Sequence, residues 1–264
     1  MSNTQQLSPL LLKEGHVDIY LIQPQMINEI LQQLLSSSII TDEEQEKIKK
    51  KRTETAQRDA LLTRVLARTV LSRYAAIPPK QWTFDKGWNG KPFISKTCPK
   101  NTHDIEFNLS HAKELIACAV TKSSPLGIDV EYTKRKSDTY KLAPRYFSTS
   151  EIKALEAQPY NKQPEEFYNY WTLKESYIKA CGDGLSIPLN HFSFDISNPN
   201  HIELNFDKAR SDNSADWQSL LFNVSDDHKM ALTVKTQKQS ITTTVYLMNE
   251  QGEFQQISLP LIIN

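Results

Sequence analysis

Residues 127–131 read Gly-Ile-Asp-Val-Glu. In a strand, residues two apart face the same side, so Asp129 and Glu131 project together while Ile128 and Val130 face the other way. Carboxylates that close raise each other's pKa. A hard cation removes the repulsion, and Mg2+ is commonly held by one or two carboxylates together with phosphate oxygens and water. A polar strand face paired with Lys or Arg is the competing account. A third acid lies in Trp171-Thr-Leu-Lys-Glu-Ser-Tyr-Ile-Lys179, where Trp171, Glu175 and Lys179 share one helix face at i, i+4, i+8. A surface Glu175–Lys179 pair would account for the charges alone. Trp171, Leu173, Tyr177 and Ile178, however, make this helix apolar over much of its circumference, and charges on a buried helix need a partner or a task. In Asn108-Leu-Ser-His111, Ser110 and His111 are neighbours on a strand end and point apart. No Gly-x-Ser-x-Gly elbow supports hydrolase chemistry. Donation to phosphate oxygens is the chemistry that suits them, with a structural histidine as the alternative.

These residues need elements to carry them. Val17–Ile22 alternates and stops before Pro24, as a short strand does. Leu31, Leu34 and Leu35 mark a brief helix. A longer helix is expected from Thr41, which can cap it, with Leu62, Val65, Leu66, Thr69 and Val70 on one apolar face and Pro78-Pro79 ending it. Short strands around Gly87 and Gly90 precede two strands at 105–109 and 115–120. Lys122-Ser-Ser-Pro125 is the expected boundary between an N-terminal half, 1–125, and a C-terminal half, 126–264. The second half opens on strand 126–132. Helical segments follow at 138–147, at 151–157 capped by Ser148 or Ser150, and at 165–181 closed by Gly182. Strands are expected at 191–196, 202–206, 218–223, 229–235 and 241–248. Asn108–Thr121 and Asn223–Val234 echo one another, each a polar turn running into an apolar strand, which suits two α+β halves packed together.

Composition bounds the rest. The chain has 264 residues with 39% hydrophobic and 23% charged, a soluble globular balance. Its 31 basic and 31 acidic residues cancel, so nothing global points to nucleic acid or membrane. Cys98, Cys118 and Cys181 are odd in number and scattered, which argues against a disulfide framework or zinc site and for a reduced, cytoplasmic setting. No signal peptide or transmembrane run is read from the sequence. Two basic runs stand out, Lys47–Arg52 and Lys134–Lys136.

The motifs, taken in order, resemble the 4'-phosphopantetheinyl transferases of the surfactin-synthetase-activating type. The resemblance rests on Gly90-Lys-Pro-Phe93, Phe107-Asn-Leu-Ser-His111, Gly127-Ile-Asp-Val-Glu131, Trp171–Lys179 and Gly184-Leu-Ser-Ile-Pro188, with an Arg-bearing stretch Arg58–Arg68 upstream. It covers residues 45–195. It implies an α/β (α+β) pseudo-dimer of two similar halves with coenzyme A between them. It further implies transfer of the phosphopantetheine arm of coenzyme A to a serine of an apo acyl or peptidyl carrier protein, releasing 3',5'-ADP. Carried over by motif, Asp129, Glu131 and Glu175 are the Mg2+ ligands, and His111 and Lys179 bind phosphate oxygens. Ser110 and Lys91 contact the nucleotide side, and Arg58 and Arg64 reach for the 3'-phosphate. Glu175 is the expected acceptor of the serine proton and Glu131 its competitor. A monomer is expected, with the basic run 47–52 facing an acidic carrier. The rival readings are another Mg2+-dependent phosphoryl-transfer enzyme, which has no use for the Gly-Lys-Pro and Ser-His elements, and a non-catalytic coenzyme A or carrier-protein binding module, which would tolerate loss of one acid.

Overall fold

The computed structural model describes residues 9–135, 139–182, 184, 187–208, 210, 212–236 and 239–263. The expected start of a helix at Asp138, Lys136 of the second basic run, Leu185 and Ser186 of the fifth motif and the first eight residues lie outside them. In chain order the elements are β1 (His16–Ile22), α1 (Glu29–Ile39), α2 (Asp42–Lys49), α3 (Glu54–Leu71), β2 (Phe84–Lys86), β3 (Pro92–Ile94), β4 (Ile105–Ala112), β5 (Leu115–Lys122) and β6 (Leu126–Tyr132). They continue with α4 (Ala143–Tyr146), α5 (Thr149–Ala157), α6 (Gln163–Cys181), β7 (Phe192–Asn198), β8 (His201–Phe206), β9 (Trp217–Ser225), β10 (His228–Lys235), β11 (Thr242–Met248), β12 (Phe254–Ile257) and β13 (Leu261–Ile263). The mixed α+β architecture is the one expected from the sequence. No helix among the described residues is long and apolar enough to cross a membrane.

Two sheets face each other. One has the order β12-β11-β1-β5-β4, the other β13-β9-β10-β6. The period of two in the strands sorts their side chains between layers. In β1, Val17, Ile19 and Leu21 enter a core shared by both sheets, while Tyr20 and Ile22 pack under α3 with Leu62, Leu66 and Val70. β5 divides in the same way, with Ala117 and Ala119 inward and Ile116, Cys118 and Val120 towards α3. In β6 the residues Leu126, Ile128 and Val130 enter the shared core, and the alternation turns Gly127, Asp129 and Glu131 towards α6. The two echoing stretches belong to the antiparallel hairpins β4–β5 and β9–β10.

The facing edges of the sheets are joined by side chains. Asn108 Oδ1 on β4 accepts from Ile128 N at 2.9 Å and Ser110 Oγ accepts from Val130 N at 3.1 Å. Two side chains of β4 thus take the place of a strand ladder along β6. The sheets do not divide by chain order at 125/126: β11 lies parallel to β1, pairing Val17 with Thr243 and Ile19 with Val245, and β12 pairs with β11.

The long helix expected from Thr41 is two helices. Thr41 caps α2 in a capping box with Glu44, and the run Lys50-Lys51-Arg52 ends it. Thr53 then starts α3 by accepting from Ala56 N at 3.2 Å. Consecutive like charges and a strong N-cap favour a break over one continuous rod. α6 ends in a left-handed residue, Gly182 at φ 74°, a conformation that costs glycine little.

α6 is anchored by an ion pair sealed from water. Lys174 Nζ lies 2.8 Å from Glu151 Oε2 with both side chains 0% exposed, and it also donates to Leu189 O and Phe192 O. Glu151 Oε1 accepts in turn from Phe194 N at 3.0 Å. Every polar atom of the pair has a partner, as a charge in this setting requires.

Candidate active site

The site forms where β6 meets α6. The two come together because residue 127 has no side chain: a Cβ built there would overlap the backbone at Ser176 O and Ala180 N. That approach brings Asp129 and Glu131 on β6 to Glu175 and Lys179 on α6.

Asp129 is buried. Its Oδ1 accepts from Lys179 Nζ at 2.7 Å and from Ser110 Oγ at 3.0 Å. Its Oδ2 is buried with no hydrogen-bond partner among the described residues. Glu131 is held at both oxygens, by Trp171 Nε1 at 3.0 Å and by Arg135 Nη2 at 2.5 Å. Burial, and then the charge of Asp129, raises its carboxyl above the ordinary glutamate range. The Glu175 side chain makes no hydrogen bond among the described residues. Burial pushes its pKa up to about 7, with Asp129 and then Glu131 adding to the rise and Lys179 opposing it. Each acid therefore feels the others' field.

The basic groups are spent differently. Lys179 Nζ donates to Ser110 Oγ at 2.8 Å and Ile128 O at 3.2 Å as well as to Asp129. Ser110 lies within the same network, between Lys179, Asp129 and Val130 N. Lys91 Nζ crosses from the β2–β3 hairpin to the carbonyls of Leu126 at 3.0 Å and Lys179 at 2.7 Å, and burial lowers its pKa. His111 is exposed on β4, and the alternation of the strand puts it on the face of Phe107 and Leu109. Arg64 Nη1 donates to Ala60 O at 2.8 Å. Arg58 lies 3.6 Å from Asp59 Oδ1 and its buried Nε has no hydrogen bond among the described residues. Within the basic run 47–52, Lys47 and Lys49 pair with Glu43 and Glu46 of their own helix.

Two clefts adjoin this cluster. One, of about 590 Å³, is bounded by Gly90, Lys91, Asn108, Glu175 and Lys179. The other, of about 480 Å³, is bounded by Arg64, Arg68, Lys80, Trp82 and Phe84. Gly90, Pro92 and Leu109 line both, so the two run into each other along the β2–β3 hairpin. Of the residues expected to act, Lys91, Glu175 and Lys179 line the first cleft and Arg64 the second. Asp129 and Ser110 stand behind them in the hydrogen-bond network of Lys179, Glu131 is held apart from that network by Trp171 and Arg135, and Arg58 and His111 line neither. Three further residues enter the picture. Arg68 is held by Glu44 at 3.0 Å and by Pro79 O and Trp82 O. Trp171 fixes Glu131, and Asn108 lines the first cleft. Asn108 carried a sequence signal, since it stands two residues before Ser110 and so on the same face of the strand.

Among the described residues no three His, Cys, Asp or Glu side chains stand close enough as placed to hold a metal ion. The donor chemistry nevertheless fits a hard divalent cation. Three carboxylates share one field, and Asp129 Oδ2 is a buried oxygen without a partner, an arrangement that costs free energy until something positive meets it.

Comparison with known proteins agrees in both parts of the chain. A family model described as the 4'-phosphopantetheinyl transferase superfamily matches residues 125–234, and a model of a 4'-phosphopantetheinyl transferase N-terminal region matches residues 28–123. The chain is 37% identical over 144 residues to a 4'-phosphopantetheinyl transferase of Bacillus subtilis, a match covering 54% of this chain and 61% of that one. It is 34% identical over 172 residues to 4'-phosphopantetheinyl transferase gsp of Aneurinibacillus migulanus, covering 65% and 68% respectively. With 4'-phosphopantetheinyl transferase Sfp of Bacillus subtilis strain 168 it shares 34% identity over 174 residues, covering 66% and 74%. The matches thus span between less than two thirds and about three quarters of these relatives' lengths. The family models on both sides of residue 125 and the covered length of the last two relatives give one conclusion: the chain belongs to the 4'-phosphopantetheinyl transferase family.

Proposed function

We propose that this protein transfers the 4'-phosphopantetheine moiety of coenzyme A to a serine hydroxyl of an apo acyl or peptidyl carrier protein, releasing 3',5'-ADP. The observation that carries the reading is the convergence of Asp129, Glu131, Glu175 and Lys179 beside a cleft, in a chain of this family. Mg2+ is part of the proposal, with Asp129, Glu131 and Glu175 as the residues that would hold it. When bound, it would spread the negative charge of the diphosphate oxygens.

The chain's own residues supply the rest. The carrier serine oxygen bonds to the phosphorus that bears the pantetheine, and the bond from that phosphorus to the bridging diphosphate oxygen breaks, so the nucleotide leaves with the electron pair. Glu175 takes the serine proton. Both oxygens of Glu131 already accept hydrogen bonds from Trp171 and Arg135, whereas the Glu175 side chain accepts none among the described residues, and in the metal-free protein its carboxyl titrates at about 7, near the pH at which a base must work. Lys179 offers its ammonium to the developing phosphate charge, and Ser110 and Asp129 orient it. Arg64 and the basic lining of the second cleft offer cations for a nucleotide phosphate, with Arg58 retained beside Arg64 for the 3'-phosphate, Lys91 and Ser110 for the nucleotide side and His111 for a phosphate oxygen. The reading also places the protein in the cytoplasm as a monomer that acts on protein carriers rather than on nucleic acid or membrane. Its balanced charge and three cysteines without a disulfide among the described residues support that setting.

The test is direct. The protein is incubated with coenzyme A, Mg2+ and several apo carrier proteins, and each carrier's intact mass is measured. A phosphopantetheine adduct on at least one carrier is expected, together with at least a hundredfold slower transfer by Glu175→Gln, within the range a positioned base contributes. No adduct on any carrier overturns the reading.

A further inference from the structure

β6 ends at Tyr132, and the chain is pinned just beyond it by Thr133, whose N–H and Oγ1 both donate to Asp227 O, at 2.8 and 3.1 Å. Arg135 follows two residues later and reaches back to the strand, where its Nη2 donates to Glu131 Oε2 at 2.5 Å. The two ends of this ion pair differ in setting. The Glu131 side chain is 13% exposed, and its other oxygen is held by Trp171. The Arg135 side chain is 48% exposed and makes no other hydrogen bond or ion pair among the described residues. A guanidinium so placed can swing into water at small cost, because it gives up one half-exposed pair and regains hydration. Among the three acids, Asp129 is served by Lys179 from within the cluster, and Glu131 alone takes its cation from outside it. As placed, the three do not stand close enough to share an ion.

We propose that Arg135 is a gate on the cation site: in the metal-free protein its guanidinium stands in for the cation at Glu131 Oε2, and the cation binds by displacing it into solvent while Trp171 keeps Oε1 in place. The assignment rests on the transferase reading, which gives the three acids to Mg2+. The exchange keeps a positive charge at Glu131 in both states, so the two carboxylates of β6 never face each other without one. It also weakens metal binding, because Mg2+ must break an ion pair at Glu131 that it does not meet at Asp129 Oδ2 or at Glu175. Arg135 thereby sets the cation concentration at which the three acids assemble. Lys134, beside it, is exposed and makes no ion pair among the described residues.

The test follows Glu131 through its other partner and needs no turnover. Mg2+ is titrated at constant ionic strength into the full-length protein labelled with 15N-tryptophan, and the Trp171 indole N–H signal, identified by its loss in Trp171→Phe, is followed to saturation. Arg135→Gln removes the competing cation, and Lys134→Gln removes the same charge one residue away without touching Glu131. Arg135→Gln should bind Mg2+ at least threefold tighter than both wild type and Lys134→Gln, a gain within the range of a half-shielded ion pair. A gain of less than threefold over either one overturns the gate. In the second case a general loss of positive charge, rather than displacement from Glu131, would account for the change. Such an outcome, with Mg2+ still moving the Trp171 signal in wild type, leaves the transferase reading standing. Wild-type protein whose Trp171 signal does not respond to Mg2+ at all overturns the assignment of Glu131 to the cation in that reading, and the gate with it.

Discussion

Glu175 is half-buried, with two acidic neighbours and no hydrogen-bond partner for its side chain among the described residues. Its folded pKa of about 7 stands above the ordinary glutamate value of about 4.5. Above the unfolded pKa the unfolded chain has already lost this proton while the folded chain still holds it. Stability from this group is therefore full below about pH 4.5 and falls as pH rises towards about 7. The rise corresponds to roughly 3 kcal/mol at most, and Glu131 adds to it with the same sign. Glu175→Gln removes the titration. In buffer with a chelator, the stability of Glu175→Gln relative to wild type should grow between about pH 4.5 and 7, as measured by urea denaturation. A difference that stays flat across that window would mean that Glu175 is neither buried nor crowded as described. Much of this site was legible from single residues. The i, i+2 spacing put Asp129 and Glu131 on one face and Glu175 stood out on a largely apolar helix, but it was the ordered motifs of the family resemblance that joined the three. The partners of Lys174 were not legible, because Glu151 lies on another helix and Leu189 O and Phe192 O are backbone atoms that no residue type announces.

At the scale of elements, one strand and one helix set the geometry, and Gly127 sets their distance. A methyl group there meets backbone rather than the end of a flexible side chain, so α6 must move or β6 must bend. Gly127→Ala should cost more than about 4 kcal/mol, the range of the most disruptive single substitutions, and should show as loss of soluble protein or a large drop in the denaturation midpoint. Gly90→Ala is the comparison. Nothing lies within 4 Å of its added Cβ, and only its φ of 85° opposes the change, a penalty of about 1–2 kcal/mol. Equal stability for the two variants would contradict the close approach. Element by element, strands with clear alternation were legible, as were the helices opened by Ser148 and closed by Gly182. The break between α2 and α3 was not, because the apolar face of α3 continues a plausible helical pattern from α2. β12 and β13 also escaped: Phe-Gln-Gln-Ile and Leu-Ile-Ile are too short to show a period, and their strand state is set by β11 and β9.

At the scale of the molecule the question is whether the two parts read from the sequence are separable bodies. The hydrogen bonds that cross residue 125/126 are the reason to expect a single body. β1 lies between β5 on one side and β11 on the other, so its second neighbour comes from the far end of the chain. The core between the sheets draws Val17, Ile19 and Ala119 from the first part and Ile128, Leu232 and Val245 from the second. Asn108 and Ser110 supply acceptors to β6 across the same junction. No periodicity reveals this, because a parallel partner such as β11 can be chosen only in three dimensions. Pieces 1–125 and 126–264, made separately, should each lack a cooperative unfolding transition: the first would bare one edge of β1, and the second would leave β11 and β12 without a sheet to join. Produced together, they should purify as one complex that unfolds in a single step, because an unsealed shared core leaves apolar surface that only the other piece covers. Thermal denaturation followed by near-ultraviolet circular dichroism reads both outcomes. A cooperative transition in the isolated 126–264 piece would show that the second sheet and α6 hold themselves, and that the crossing of β11 into the first sheet is an accessory rather than the joint that keeps the cleft between the parts in shape.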